Sequence, residues 1–368
     1  MKKIAYLLLL CLLLSLVPGC RREEKVSITG KVIEIEKYGH AKLDITTDTF
    51  SDTGFELGDI VTVKAGSFEG DMPYFNGYYV ESGDYMVRGA PGKENIAVCI
   101  NYGRFAETFG INVGDEVTIV LKEKAGALST QEFNNLVYSD SRTDYESDEV
   151  FSNFRAIRAG GIGDGKLYRS ASPVNNEHNR AATTGRLIEK AGIKAVINVA
   201  DTEEDVLAHA AQADSDSTYY MNLFRNGHVI TLGLAIDYAS DDFAESIAKG
   251  LTFLSEQEPP FLVHCTEGKD RAGFCVMILE ALMGASEEEI TADYLISYEN
   301  YYHLDPVKDA GLLETIAETN VRAMLRTMAG LEKGADLTGV DLTDAAEKYL
   351  TIHGMKAGAI ETLKEKLQ

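Results

Sequence analysis

Through much of the stretch 26–125, hydrophobic and polar residues alternate with a period of two, as in Val26-Ser27-Ile28-Thr29 and Val32-Ile33-Glu34-Ile35. Val, Ile, Thr and Tyr are frequent there, and Gly58-Asp59 and Gly114-Asp115 punctuate the runs as turns. The pattern predicts a small β-rich domain. The polar run Ser139 to Glu149 then reads as the core of a linker over 126–149. From Val150 the period changes. Lys166 to Ser170 predicts a short strand after a Gly-rich turn, Ala181 to Ala191 a helix, and Lys194 to Val199 a buried strand. Phe243 to Ser255 has helical spacing, and Pro259-Pro260 ends it before the apolar run Phe261-Leu262-Val263. Phe274 to Met283, Glu287 to His303 and the segment Asp344 to Leu367, broken at Gly354, predict further helices. Strand and helix in alternation over 150–368 imply an α/β domain. Its central, mostly parallel sheet is flanked by helices, with ligands at the carboxyl ends of the strands.

The N-terminus has a different character. Lys2 and Lys3 precede the apolar run Ala5 to Val17, which is too short to favour crossing a bilayer and reads as an export signal over 1–19. Val17-Pro18-Gly19-Cys20 resembles a bacterial lipobox. The resemblance implies a lipid on Cys20 and a mature protein held on the extracytoplasmic face of the cell membrane; an ordinary secretory signal is the alternative. Cys11 falls in the discarded segment either way. The remaining cysteines, Cys99, Cys265 and Cys275, have no spacing that suggests a disulfide framework or a metal site. Cys99 and Cys275 read as core residues. The formal charge is -23, and about -25 without Lys2 and Lys3, which argues against nucleic acid as a partner. No cofactor is implied.

The chemistry is concentrated in His264-Cys265-Thr266-Glu267-Gly268-Lys269-Asp270-Arg271-Ala272-Gly273. A strand that ends in a Gly-bearing loop and feeds a helix aims its N–H groups at one point and can cradle a phosphate. Cys265 would lie at the floor of that cradle, where the helix end and Arg271 favour its thiolate. Arg271 offers a planar fork for two phosphate oxygens. The string HC-x5-R resembles the signature of the cysteine-based protein tyrosine phosphatases. The fuller string HC-x-x-GKDR-A-G resembles their bacterial branch with dual-specificity and phosphoinositide phosphatase activity. Asn153-Phe154-Arg155, Leu167-Tyr168-Arg169-Ser170 and Asp293-Tyr294-Leu295-Ile296-Ser297 also resemble that branch. Where the branch has Asp-Leu-Arg in a sheet strand, this chain has Asn198-Val199-Ala200. A substrate role of that arginine is lost here, or falls to Arg169 or Arg225.

The resemblance implies a phosphoric monoester hydrolase that works through a cysteinyl-phosphate on Cys265. Phosphotyrosine, phosphoinositide and inositol phosphate substrates all stay open. Thr266, Glu267, Gly268, Lys269, Ala272 and Gly273 would complete the phosphate loop. Thr266 is placed to bond the cysteine sulfur or a loop carbonyl, His264 to orient the loop, and Lys269 to add positive charge at the rim. Glu267 opposes Lys269 if it points into the pocket. The branch implies Asp270 as proton donor. Asp237, Asp241 and Asp242, which lie 28, 24 and 23 residues before the cysteine, are the upstream candidates, Asp237 first among them. Two other readings compete with the enzyme: a catalytically weak surface lipoprotein that binds phosphorylated ligands, and an adhesion protein built around the β domain.

That β domain has a resemblance of its own. Val32 to Ala41, Ile100 to Glu107 and Gly110 to Val117 are similar to the C-terminal β domain of the S-adenosylmethionine hydrolases and halogenases. The catalytic domain of that family is absent, so the resemblance implies a fold and no chemistry. Tyr74, Tyr78, Tyr79 and Tyr85 cluster in this domain. Core and edge packing is the plainer reading, a groove for a sugar or another ligand the alternative.

Overall fold

The computed structural model describes residues 26–90, 93–212 and 218–368. Cys20 and the whole export signal lie outside the described residues. The chain divides into two compact units between Asn134 and Asn135.

In the first unit, seven strands close into a barrel, in the order β1-β2-β6-β5-β4-β3-β7. They are β1 (Ser27–Ile35), β2 (Ala41–Thr46), β3 (Ile60–Ala65), β4 (Phe68–Phe75), β5 (Tyr85–Arg88), β6 (Asn95–Ile100) and β7 (Glu116–Glu123). Pairing is antiparallel except between β4 and β5. Closure removes the exposed edges that open sheets must protect. The period-two pattern fills the interior: Val61, Val63 and Ala65 of β3 point in with Val117 and Ile119 of β7, while Thr62, Lys64 and Thr118 do not. Tyr74 and Tyr85 belong to this core or pack against it, and Tyr79 packs on Phe75. Tyr78, at 44% exposed, lies outside this core.

The second unit holds a five-stranded sheet, ordered β11-β10-β12-β9-β8. Its strands are β8 (Arg155–Ala156), β9 (Leu167–Ser170), β10 (Ala195–Asn198), β11 (Val229–Thr231) and β12 (Phe261–His264). Only the short edge strand β8 is antiparallel. Alternation along each strand sends side chains to two helical layers. Val196, Leu262 and Tyr168 share one apolar cluster with Ile188 and Met221 of the helices Ala181–Lys190 and Thr218–Arg225. Their strand neighbours take the opposite face, where Ile197 lies under Gly250 of the helix Asp241–Glu256. Arg169, in register with Val263, reaches Gly273 of the helix Asp270–Leu282. That helix is apolar nearly all round and buried from Ala272 to Leu282, as a helix without a polar face must be.

The segment expected as a linker is divided between the units. Leu128–Asn134 is a helix of the first unit, and the polar run that follows packs into the second. Arg180, 2% exposed, donates to Asp140 Oδ1 (2.9 Å), the Ser139 carbonyl (2.9 Å) and the Tyr145 hydroxyl (3.0 Å). A polar stretch next to a buried arginine supplies the acceptors that the guanidinium needs, so polarity here marks partnership rather than solvation. Among the described residues no helix is long and apolar enough to cross a membrane.

Candidate active site

Strand β12 ends at His264, and the helix Asp270–Leu282 starts six residues later. The five residues between them, 265–269, turn every carbonyl away from the cysteine. The Cys265 carbonyl lies 3.3 Å from His264 Nδ1, and that of Thr266 accepts from Ser172 N at 3.0 Å. The Glu267 carbonyl accepts from Tyr301 Oη (2.6 Å) and Asn153 Nδ2 (3.2 Å). Gly268 O accepts from both Nε and Nη2 of Arg169, at 3.1 and 2.9 Å, and Lys269 O from Nη2 at 2.8 Å. With the acceptors tied back, the N–H groups point the other way. Those of Thr266, Glu267, Gly268 and Lys269 have no acceptor among the described residues. This is an anion nest at a helix N-terminus.

Two glycines make the turn possible. Gly268 has φ +69°, and a Cβ there would stand 2.1 Å from the Ser170 carbonyl oxygen. At Gly273 a Cβ would stand 2.8 Å from the Tyr294 ring and 2.9 Å from Arg169 Nη2. Ala272 beside it is fully buried.

Cys265 is 3% exposed and unbonded to another cysteine, as are Cys99 and Cys275. Burial pushes the thiols of Cys99 and Cys275 up to about 12, which fits inert core residues. Arg271 donates Nη2 to Thr266 Oγ1 (3.1 Å) and Nη1 to the Leu234 carbonyl (2.8 Å). Thr266 thus holds the arginine through its hydroxyl oxygen. Leu234 belongs to the loop that also carries Tyr238 and Asp237. Tyr238 stacks on Phe274, and its hydroxyl is pushed up by burial and by the charges of Asp270 and Cys265. Asp237 is exposed, with no side-chain bond among the described residues. Asp241 and Asp242 occupy the first turn of a helix capped by Ser240, exposed and suited to the helix dipole.

His264 is fully buried. Burial, offset in part by Asp201, brings its pKa down to about 4, so the ring is neutral at physiological pH. Its Nε2 lies 3.4 Å from the Tyr220 hydroxyl, which also accepts from Asn198 Nδ2 at 3.1 Å. Asn198 thus belongs to the brace under the loop. Asn198 Oδ1 accepts the N–H groups of Ala200 and Asp201, and this shapes the turn where an arginine was absent.

Several side chains differ from expectation. Lys269 is no rim residue: it is 8% exposed, with Nζ 3.1 Å from Asp270 Oδ2, 3.7 Å from Glu267 Oε2 and 4.9 Å from the Tyr298 ring centroid. Burial works against its charge, but Asp270 and then Glu267 outweigh that and hold it protonated. Glu267 is turned to Lys269 and to the Tyr138 hydroxyl, which donates to its Oε1. The other oxygen of Asp270 accepts from Tyr294 Oη at 2.8 Å.

Arg169, 1% exposed, lies behind the loop and cannot reach a substrate, and Arg225 sits exposed in the last turn of its helix. Asp293 pairs with both Arg169 Nη1 (2.6 Å) and Arg155 Nε (2.8 Å). Burial would raise its pKa, but the two guanidinium groups win and hold it below the usual carboxylate range. Glu280, buried beside them, is pushed well above its ordinary value by burial and by Asp293. Asn153, Asp293, Tyr294 and Tyr301 were not foreseen as loop braces, although three of them lie in or beside segments that carried the resemblance. Tyr138 and Arg180 had no sequence signal. Among the described residues no cluster of His, Cys, Asp and Glu could hold a metal ion.

A family model described as the tyrosine phosphatase family matches residues 151–368. It covers over half of the chain and leaves the barrel outside. No curated protein matches. Among solved structures, an uncharacterized conserved protein from Thermotoga maritima is similar at 21% identity, over 26% of this chain and 36% of that one, with a TM-score of 0.24. The chain thus spans about a third of that relative. The core catalytic domain of the PP-IP phosphatase SIW14 from S. cerevisiae, in complex with citrate, is 17% identical over 46% of this chain and 93% of its own, TM-score 0.27. TpbA from P. aeruginosa is 20% identical over 53% and 91%, TM-score 0.29.

Proposed function

The chain belongs to the tyrosine phosphatase family and is a cysteine-dependent phosphatase; from that premise we propose that its substrates are aryl monophosphates of the phosphotyrosine kind. The observation that carries this choice is the state of Lys269. A substrate with a second phosphate needs a second cation beside the loop, and Lys269 already faces Asp270 and Glu267. Its net demand for an anion is met within the protein, while the formal charge of -23 adds no attraction for polyphosphates. The test is phosphate release from a phosphotyrosine peptide, a phosphoinositide and a soluble inositol phosphate. The peptide should have the highest kcat/KM, by at least about tenfold, or roughly 1.4 kcal/mol. A higher value for either inositol substrate would overturn the assignment.

In this reading Cys265 Sγ attacks phosphorus, an S–P bond forms and the ester P–O bond breaks. The leaving oxygen takes a proton from the Asp270 carboxyl group, which must carry that proton into the step and so leaves to Glu267 the role of anion beside Lys269. Water then attacks phosphorus and gives a proton to the Asp270 carboxylate, the S–P bond breaks, and inorganic phosphate leaves. Arg271 exchanges Leu234 and Thr266 for phosphate oxygens as substrate enters.

Asp270 and Asp237 are separated by leaving-group dependence. Asp270→Asn should slow esters of weakly acidic phenols by about 10²-fold or more, spare activated aryl esters, and remove the basic limb of the pH–rate profile. Asp237→Asn should change neither. The reverse pattern would move the acid to the loop of Leu234, which Arg271 already touches, and leave Asp270 as a brace for Lys269 and Tyr294.

Location is a separate proposal and rests on the lipobox-like Val17-Pro18-Gly19-Cys20. The mature protein is lipid-modified on Cys20 and faces away from the cytoplasm; two or more acyl chains would hold it stably, where one would not. Mass spectrometry of the mature N-terminus should find lipid on Cys20. An unmodified terminus, or cleavage at another bond, would remove the basis for the anchor.

A further inference from the structure

Two carboxylates share one ammonium at the phosphate loop. Asp270 Oδ2 stands 3.1 Å from Lys269 Nζ, and Glu267 Oε2 stands 3.7 Å from it. Asp270 is the nearer, and an unshared ammonium at that distance favours the ionised carboxylate, which has no proton to give. Glu267 has to stay on Lys269 if Asp270 is to enter the reaction protonated. Its side chain is 23% exposed, so a turn outward into water is open to it.

What opposes that turn comes from a distant part of the chain. Tyr138 donates its hydroxyl to Glu267 Oε1, while Oε2 faces Lys269. Burial and the bond to Glu267 both push the Tyr138 hydroxyl above its ordinary value, so it stays a donor. His178 Nε2, at 3.3 Å, is the longer contact of the same oxygen. The ring is wedged, with its centroid 4.8 Å from that of Tyr301 and 5.6 Å from that of Tyr302. The Arg180 guanidinium lies 5.1 Å from the same centroid, and it bonds the Ser139 carbonyl and Asp140, the two residues that follow Tyr138. One buried cation therefore fixes both the ring and the backbone beside it. Tyr138 precedes the residues 151–368 that match the phosphatase family, so the family match does not supply this contact.

We propose that Tyr138 is a positioning residue of the phosphatase reaction: it clamps Glu267 against Lys269 and so leaves Asp270 to carry the proton that the leaving oxygen takes. The proposal rests on the reading of Asp270 as the acid. Tyr138 acts through Glu267 and Lys269, and its effect is confined to the step that needs the proton.

The test is steady-state kinetics of the full chain on aryl phosphates graded by phenol pKa. Tyr138→Phe keeps the ring and deletes the donor. It should lower kcat about tenfold for esters of weakly acidic phenols, spare activated esters, leave KM within about twofold, and lower the melting temperature by no more than about 4 °C. Glu267→Gln still accepts from Tyr138 but offers Lys269 no charge, and should show the same dependence on the leaving group, at least as steeply. In an Asp270→Asn background Tyr138→Phe should add no further loss, because the two residues serve one step. Equal slowing of all esters by Tyr138→Phe, a loss that adds in full to that of Asp270→Asn, or wild-type kinetics would each overturn the positioning role. Asp270→Asn, run alongside, separates two failures. If it alone shows the leaving-group dependence, the acid stands and the clamp falls; if it shows none, both fall.

Discussion

Cys265→Ser should reduce phosphate release from an aryl phosphate by at least about 10⁴-fold, close to 5.5 kcal/mol of barrier, while the protein melts at the wild-type temperature. Stability should survive because the two side chains are nearly the same size and the sulfur is 3% exposed in a site held by backbone and neighbouring side chains. Activity should not survive, because a serine hydroxyl in the same nest has no adjacent base: His264, the nearest imidazole in sequence, bonds toward the Cys265 carbonyl and Tyr220. Arg271→Lys should cost about 10²–10³-fold, since an ammonium cannot make two parallel bonds to phosphate. The lysine variant should also loosen the loop of Leu234, so part of its loss should appear in KM. Steady-state kinetics with circular-dichroism melting read both variants. A folded Cys265→Ser protein with near wild-type turnover would end the assignment of Cys265 as nucleophile.

The nucleophile and its arginine were legible because a strand, a fixed six-residue spacing and a helix are local facts. So was the sheet, since the buried runs 166–170, 194–199 and 261–264 each carry their own pattern. What holds the loop was not legible. Arg169, Asn153, Asp293 and Tyr301 are far apart in the chain and meet only because the sheet register sets Arg169 beside Val263 and the helix Glu287–Tyr302 folds back over both. Local composition misled in two places. The polar run 139–149 resembles a linker until Arg180 is seen to need its acceptors. Lys269 resembles a rim cation until Asp270, Glu267 and Tyr298 are seen to enclose it. Polarity in a sequence cannot distinguish a group that faces water from one that faces a buried partner.

Arg169 is the residue whose loss should damage both stability and activity most without touching substrate. Its guanidinium holds the carbonyls of Gly268 and Lys269 and one oxygen of Asp293, all from a position 1% exposed. Arg169→Met keeps the stem and removes every one of these bonds. Two loop carbonyls lose a charged donor, and Asp293 is left with Arg155 as its only cation partner among the described residues. Breaking a buried pair from one side typically costs about 3–5 kcal/mol. The denaturation midpoint in urea should fall accordingly. The loop should also lose the orientation that turns its N–H groups toward Cys265. A misplacement of about 1 Å at a reacting centre costs on the order of 10²-fold, and this loss should fall on kcat because the arginine acts through the loop. Arg169→Lys should rescue little, for an ammonium at the end of a flexible stem cannot span acceptors on two sides. If Arg169→Met lowered stability but left kcat unchanged in the folded fraction, the arginine would be a packing element, and the orientation of the loop would have to come from Asn153 and Tyr301 alone.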